Sequence, residues 1–261
     1  MALNIVITGA GGGIGHALAL QYARPGNNLL LCDFDAGKLA RTDALCSKTA
    51  ESTDTLCFNM EQADEVEKAA DTILRKFEIL HRLILVSGIS QRGKAINTSI
   101  MVDRKIMEVN YFGNVILTKK LLPALLQAKA PHIGVTSSIS GRFGFHQRSA
   151  YAASKFALHG FFESLRLEHH NDKLKVSIIC PGRINTPISL SAVTENGQQH
   201  GQMDPGQEKG MSVVRCARKM KNAIEKGKKD VLIGKQELLM VYFKKYLPIV
   251  FYKFANRINP R

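Results

Sequence analysis

Tyr151 and Lys155 stand four residues apart in a stretch with helical spacing. On a helix that separation puts both side chains on one face. A tyrosine ordinarily ionises near pH ~10, too high for proton exchange at neutral pH. A neighbouring ammonium stabilises the phenolate and lowers that value. The pair can therefore exchange a proton with an alcohol or a carbonyl. Ser138 lies 13 residues upstream of the tyrosine, at the end of a short apolar run. Its hydroxyl can hold the reacting oxygen beside the phenol. Surface helices carry Tyr-x-x-x-Lys pairs by chance, so the weight of this one rests on what accompanies it.

The run Thr8-Gly9-Ala10-Gly11-Gly12-Gly13-Ile14-Gly15 follows an apolar strand and opens a helix. Glycines there permit positive φ and let a pyrophosphate approach the backbone. The helix N-terminus adds free N–H groups and the positive end of its dipole. His16 follows Gly15 where a P-loop would have Lys and then Ser or Thr, which excludes that motif. Asp33 closes the next apolar run, 18 residues after Gly15. Its carboxylate can accept hydrogen bonds from adenosine ribose hydroxyls and would repel a 2′-phosphate. Neither Gly12 nor Phe34 supplies a basic side chain for that phosphate. The pattern predicts NAD rather than NADP.

Short apolar runs without strict alternation mark strands buried on both faces. They occur at Leu3 to Ile7, Asn28 to Cys32, Thr55 to Phe58, Leu83 to Val86, Ile133 to Thr136, Val176 to Cys180 and Val231 to Ile233. Helical patterns fall between them, at Ile14 to Tyr22, Ala36 to Thr49, Gln62 to Phe77, Asp103 to Leu126, Ala150 to His169 and Val213 to Lys226. The alternation predicts an α/β fold, doubly wound on a parallel seven-stranded, Rossmann-type sheet with helices on both faces. A polar stretch of about 185–212 is too long for a structureless loop and predicts a small helical lid. The expected organisation is one nucleotide-binding and catalytic domain over 1–235 and a basic aromatic segment over 236–261.

Taken together, these motifs resemble the short-chain dehydrogenase/reductase family. Thr8-Gly9-x-x-x-Gly13-Ile14-Gly15 is similar to its cofactor motif, in which Gly11 also stands. Asn110, Ser138, Tyr151 and Lys155 are similar to its catalytic tetrad. The resemblance implies that Tyr151 is the acid and base, Ser138 binds the reacting oxygen, and Lys155 binds the nicotinamide ribose. Asn110 would hold a backbone kink and a water of the proton relay. Pro181, Gly182 and Thr186 match the stretch that holds the nicotinamide carboxamide. Two positions depart from the family pattern. Leu85-Val86-Ser87-Gly88 replaces the usual Asn-Asn-Ala-Gly, keeping only Gly88 against the adenosine ribose. Asn59 replaces the usual Asp near the adenine. The stretches SAYAASKFALHGFFESLR and PGRINTPISLSAVTENGQQHGQMD resemble the subgroup containing dehydrogenase/reductase member 7B. That implies a hydrophobic secondary alcohol or ketone, steroid-, lipid- or retinoid-like. Family geometry places the substrate among Ser90, Ser140, Phe143, Phe145, His146, Arg183 and a lid beginning at Ile188. Leu190 and Val193 would close over it. A homodimer or homotetramer, built through helices near 103–126 and 150–170, is also implied.

The chain has 261 residues, a formal charge of +14 and five scattered cysteines. No CxxC or HxxxH spacing is present, so neither a metal site nor a disulfide framework is expected. The cysteine usage and the opening Ala2-Leu3-Asn4-Ile5-Val6-Ile7, without a secretory signal pattern, predict a cytoplasmic protein. Of the +14, +10 lies between Gln207 and Arg261. There, Lys244, Lys245, Lys253 and Arg257 interleave with Tyr242, Phe243, Tyr246, Phe251, Tyr252 and Phe254. The segment predicts either a peripheral membrane contact or packing on the active-site rim with its cations solvated. No nucleic-acid motif accompanies the charge. Two rival functions are a 3-oxoacyl-carrier-protein reductase and a non-catalytic NAD-binding sensor or scaffold. Asp33 speaks against the first and the full tetrad against the second.

Overall fold

A computed structural model describes residues 2–255 of the chain. Its centre is a parallel sheet of β1 (Leu3–Thr8), β2 (Asn27–Asp33), β3 (Ser52–Cys57), β4 (Arg82–Leu85), β5 (His132–Thr136), β6 (Lys175–Pro181) and β7 (Asp230–Ile233). The spatial order is β3-β2-β1-β4-β5-β6-β7. The order reverses between β1 and β4, and a ligand crevice is expected at the carboxyl ends of those strands.

Each face of the sheet is buried by helices. Val66 and Ile73 of α3 (Ala63–Lys76), Leu117 and Leu121 of α5 (Gly113–Leu126), and Leu158 and Phe162 of α6 (Ser149–Glu168) join one core. The other core takes Leu18 of α1 (Gly13–Tyr22), Leu39 of α2 (Ala36–Cys46), and Met220 and Ile224 of α8 (Val213–Glu225). Alternate residues of β1 serve both: Val6 faces the first core, Ile5 and Ile7 the second. That two-sided burial is why the strands read as unbroken apolar runs.

At the amino ends of the strands, Arg82 clasps Glu225 with Nε at 3.1 Å and Nη2 at 2.8 Å. Tyr22 donates to the same carboxylate at 3.0 Å. Burial alone would raise Glu225, but the guanidinium and the phenol hold it below the usual carboxylate range. Buried His132 of β5 lies beside this pair and is pushed down to about 4, chiefly by desolvation.

Two expectations need correction. The helix expected as one piece over Asp103 to Leu126 is split. Here α4 (Ile100–Met107) leads into a π-turn at Glu108–Phe112 before α5. The wide turn holds Asn110, whose side chain bonds outside the helix. The lid is not chiefly helical. Ile184–Asn185 pairs with Met211–Ser212, Val193–Thr194 pairs with Gln91–Arg92, and α7 (Pro205–Glu208) is one turn long. Pro187, Gly197, Gly201 and Pro205 interrupt any longer helix.

The C-terminal segment forms α9 (Leu239–Tyr246) and α10 (Pro248–Ala255). Arg257 lies outside the described residues. No helix among the described residues is long and apolar enough to cross a membrane.

Candidate active site

The carboxyl ends of β1, β4, β5 and β6 open into one cavity of about 500 Å³. Its lining includes Gly9, Gly12, Gly13, Ile14, Asp33, Asn59, Gly88, Ser90, Ser138, Tyr151, Lys155, Pro181, Gly182 and Thr186. Residues far apart in the chain converge because parallel strands all end on one edge.

The glycine turn is shaped by contact as well as by conformation. Gly9 has φ +67°, and a Cβ there would lie 2.9 Å from the Ser87 nitrogen. A Cβ at Gly15 would overlap the Gly9 carbonyl oxygen. Gly12 has open space in the direction of a Cβ and lines the cavity, leaving the start of α1 bare for a ligand phosphate. Thr8, Gly11 and Gly15 are not on the lining. The Thr8 hydroxyl accepts from Val86 N at 3.0 Å and Ser87 N at 3.2 Å, tying β1 to the loop after β4. Gly11 N donates to Asp33 Oδ2 at 2.9 Å, and Asp35 N donates to Oδ1 at 3.2 Å. Asp33 is thereby aimed at the cavity from both sides. Asn59 Oδ1 is held by Glu61 N at 3.0 Å.

Tyr151 and Lys155 are both buried on the first turns of α6, with the ammonium 5.8 Å from the centre of the tyrosine ring. Burial pushes the phenol up, against the Ser138 hydroxyl and the charges of Arg148 and Arg92, which pull it down. Burial also pushes Lys155 down to about 8. Its Nζ donates to the Thr136 carbonyl at 2.9 Å. Ser138 begins a single 3₁₀ turn, Ile139–Gly141, and accepts from Ser140 N at 3.1 Å. Asn110 is off the lining but directly behind it. Its Oδ1 accepts from Ile89 N at 2.8 Å, and its Nδ2 donates to Ile89 O and Ser154 Oγ, each at 3.0 Å. A Cβ on Gly88 would lie 3.0 Å from Asn110 Oδ1 and 3.3 Å from Lys155 Nζ, so glycine alone fits without displacement.

Six residues expected around a substrate, Leu190 of the lid among them, are not on the lining. His146 and Arg183 are exposed, and the Arg183 guanidinium lies against Gly206. Ser140 is buried behind Ser138. Phe145 lies under the Arg148 guanidinium at 5.2 Å. Phe143 packs against Phe251 at 5.2 Å, also away from the cavity. The loop after Ser138 turns Phe143 toward the C-terminal helices, which spacing along the chain does not reveal.

In their place the structure brings in residues the motifs do not include. Arg92 and Arg148 line the cavity and share one lid carboxylate. Arg92 reaches Asp204 with Nη2 at 2.5 Å and Nε at 3.2 Å, and Arg148 reaches it at 2.9 Å. Arg148 Nε is buried without a hydrogen-bond partner among the described residues. Burial and the charge of Arg92 push Arg148 down to about 10. Gln91, fully buried, accepts from Tyr151 N at 3.2 Å and donates to Thr98 and Ser149. Lys38 stands on the lining near Asp33, paired with Asp35 at 3.0 Å. Arg148 was legible in principle: it precedes Tyr151 by three residues and Lys155 by seven, one helical stripe. Asp204 carries no local signal.

Comparison with known proteins finds relatives of the same fold along most of the chain. Residues 3–197 match the short chain dehydrogenase family. Dehydrogenase/reductase SDR family member 7B of Bos taurus is 38% identical over 256 residues, covering 95% of this chain and 79% of its own. Dehydrogenase/reductase SDR family protein 7-like of Drosophila melanogaster is 33% identical, covering 97% of this chain and 79% of its own. Among solved structures, a short chain dehydrogenase/reductase from Burkholderia phymatum in complex with NAD superposes with a TM-score of 0.81 at 25% identity. It covers 100% of this chain and 96% of its own. A short chain dehydrogenase from Shigella flexneri complexed with NADP shares the fold at a TM-score of 0.76 and 24% identity, covering 88% and 95%.

Proposed function

The chain belongs to the short chain dehydrogenase family, and from that premise we propose that it moves a hydride between NAD and a hydrophobic secondary alcohol or its ketone. That it is an oxidoreductase follows from the family. The roles of individual residues, the cofactor preference and the substrate class are the proposal. The observation that carries it is the convergence of Ser138, Tyr151 and Lys155 in one cavity with the glycine turn.

When bound, the nicotinamide supplies the hydride donor or acceptor. The residues fit such a dinucleotide. The turn from Gly9 to Gly15 would cradle its pyrophosphate, with Thr8, Gly11 and Gly15 shaping the turn from behind. Asp33 would hold the adenosine ribose, Asn59 and Gly88 would flank the adenosine, and Pro181, Gly182 and Thr186 would hold the carboxamide. Tyr151 takes the alcohol proton in oxidation and returns it to the oxygen in reduction. Ser138 holds that oxygen by a hydrogen bond. Lys155 favours the phenolate and binds the nicotinamide ribose. Asn110 keeps the π-turn open and fixes Ile89 beside the cavity. Arg148 Nε offers a donor to a second oxygen of the substrate. Ile89, Val109, Ile188 and Val193 on the lining favour an apolar body.

Asp33 supports NAD, and Lys38, on the lining beside it, is placed to meet a 2′-phosphate. In the same reading, 1–235 is the cofactor and catalytic unit with 236–261 appended. Copies pair through the helices near 103–126 and 150–170, where Phe112 of the π-turn and Phe156 of α6 are exposed.

Tyr151→Phe tests the central role. Turnover of a secondary alcohol should fall by roughly 10²–10⁴, while NAD binding by calorimetry and the melting temperature stay near wild type. Retained turnover would refute the acid–base assignment. Lost NAD binding would move Tyr151 to a structural role.

A further inference from the structure

A cluster of exposed apolar side chains remains outside the site. The corner joining α9 to α10 exposes six consecutive residues, Lys245 to Val250. Ile249 is 85% exposed and Tyr246 65%. Leu239, Tyr242, Tyr252 and Phe254 extend the exposed surface along both helices. Leaving this much contiguous apolar and aromatic surface in water is unfavourable, and such patches mark contact sites. The corner is nevertheless fixed to the body. Phe251 is buried against Phe143, in the loop that follows Ser138. Glu237, just before α9, accepts from Arg183 N at 2.9 Å and lies against Gly182 on the cavity wall.

The charge selects the occupant. Residues 238–255 carry Lys244, Lys245 and Lys253 and no Asp or Glu. The Lys244 ammonium stands 4.3 Å from the Tyr252 ring centre and Lys245 5.2 Å from that of Tyr246, so cations rim the aromatic rings. A two-fold pairing of this patch with itself would oppose like charges. An anionic bilayer meets both features. Tyrosines and lysines suit the headgroup level, and Leu247, Ile249 and Val250 suit the acyl boundary. We propose that the α9–α10 corner, Tyr246 to Val250 with its flanking lysines, docks the protein on an anionic lipid surface. Docking there holds the cavity wall close to a reservoir of apolar alcohol or ketone, a consequence that rests on the substrate class proposed above.

The full chain should co-sediment with vesicles of phosphatidylcholine containing about 30% phosphatidylserine, less with phosphatidylcholine alone, and less at high salt. Leu247→Glu with Ile249→Glu should lower that binding about tenfold or more while leaving turnover of a water-soluble ketone and the melting temperature unchanged. Lys244→Gln with Lys245→Gln and Lys253→Gln should abolish the preference for phosphatidylserine. Absence of binding to either vesicle overturns the proposal, as does binding that ignores the glutamates. So does a wild-type dimer that the glutamates convert to monomer without lipid, which would assign the corner to a second copy. Vesicle binding without turnover would count against the enzymatic roles alone, and turnover without vesicle binding against the docking surface alone.

Discussion

Two arginine–carboxylate clusters stand at opposite ends of the same sheet. At the amino ends of the strands, Arg82 and Glu225 are matched one to one, and Tyr22 takes up further bonding capacity. At the carboxyl ends, two guanidiniums share Asp204 and one nitrogen is left over. The chemistry is the same and the balance is not. A balanced pair, its arginine buried and its glutamate at the surface, fastens β4 to α8. An unbalanced one leaves positive charge and a hydrogen-bond donor facing a cavity, at a site where buried, perturbed groups also lie. Asp204 comes from the lid, so the second cluster also joins the lid to the start of α6.

Breaking the matched pair should have the largest effect on stability. Glu225→Gln removes the counter-charge of buried Arg82 and costs about 3 kcal/mol, the low end for a buried pair because the glutamate is partly exposed. Denaturant unfolding should show that loss, while the pH profile of turnover keeps its shape. Glu225 is held below its ordinary pKa, so its contribution exists above the usual glutamate range and disappears as pH falls through the folded value.

The neighbouring histidine sets the next effect. His132 titrates near 4 when folded and near 6.5 when unfolded. The unfolded chain therefore binds the extra proton, and stability falls as pH drops from 6.5 to about 4, by roughly 3 kcal/mol. Replacing His132 with Gln should flatten that window in a plot of unfolding free energy against pH. An unchanged slope would place the acid sensitivity elsewhere.

The unmatched cluster should respond in turnover, not in folding. Arg148→Gln removes a cation that lowers the Tyr151 phenol. The rising limb of kcat/KM for alcohol oxidation should move to higher pH by about 0.5–1 unit, ~1 kcal/mol. Arg148→Lys should return it part of the way. A large fall in melting temperature with no shift of the limb would make the two clusters alike. The smallest expected effect lies at the adenosine end. Lys38→Ala should change kcat/KM with NAD less than about threefold and lower it more with NADP. An NADP preference of tenfold or more in the unaltered protein, ~1.4 kcal/mol, would overturn the role given to Asp33.

Residues whose partners lie within a few positions were legible from the chain. The strand, glycine turn and helix from Leu3 to Tyr22 follow from local apolar pattern and backbone freedom. The Tyr151–Lys155 spacing follows from helical geometry. Strands buried on both faces announce themselves because few polar residues are tolerated there, and those only with a hydrogen-bond partner. The π-turn at Asn110 was less legible, since its widening depends on Ile89, 21 residues away in the chain. Arg92, Arg148 and Asp204 are separated by 56 and 112 residues, and only folding brings them to one cavity wall. The same is true of Phe143, whose turn toward Phe251 removes it from the cavity.

By itself the sequence determined the α/β alternation, the glycine turn and the placing of Tyr151 and Lys155 on one helix face, because local geometry and two-sided burial constrain those residues at short range. The tertiary structure alone decided which charges face the cavity, which aromatic residues leave it, and which apolar corner stays exposed. Those outcomes depend on where long-range packing sets distant segments, and residue spacing along the chain does not encode that.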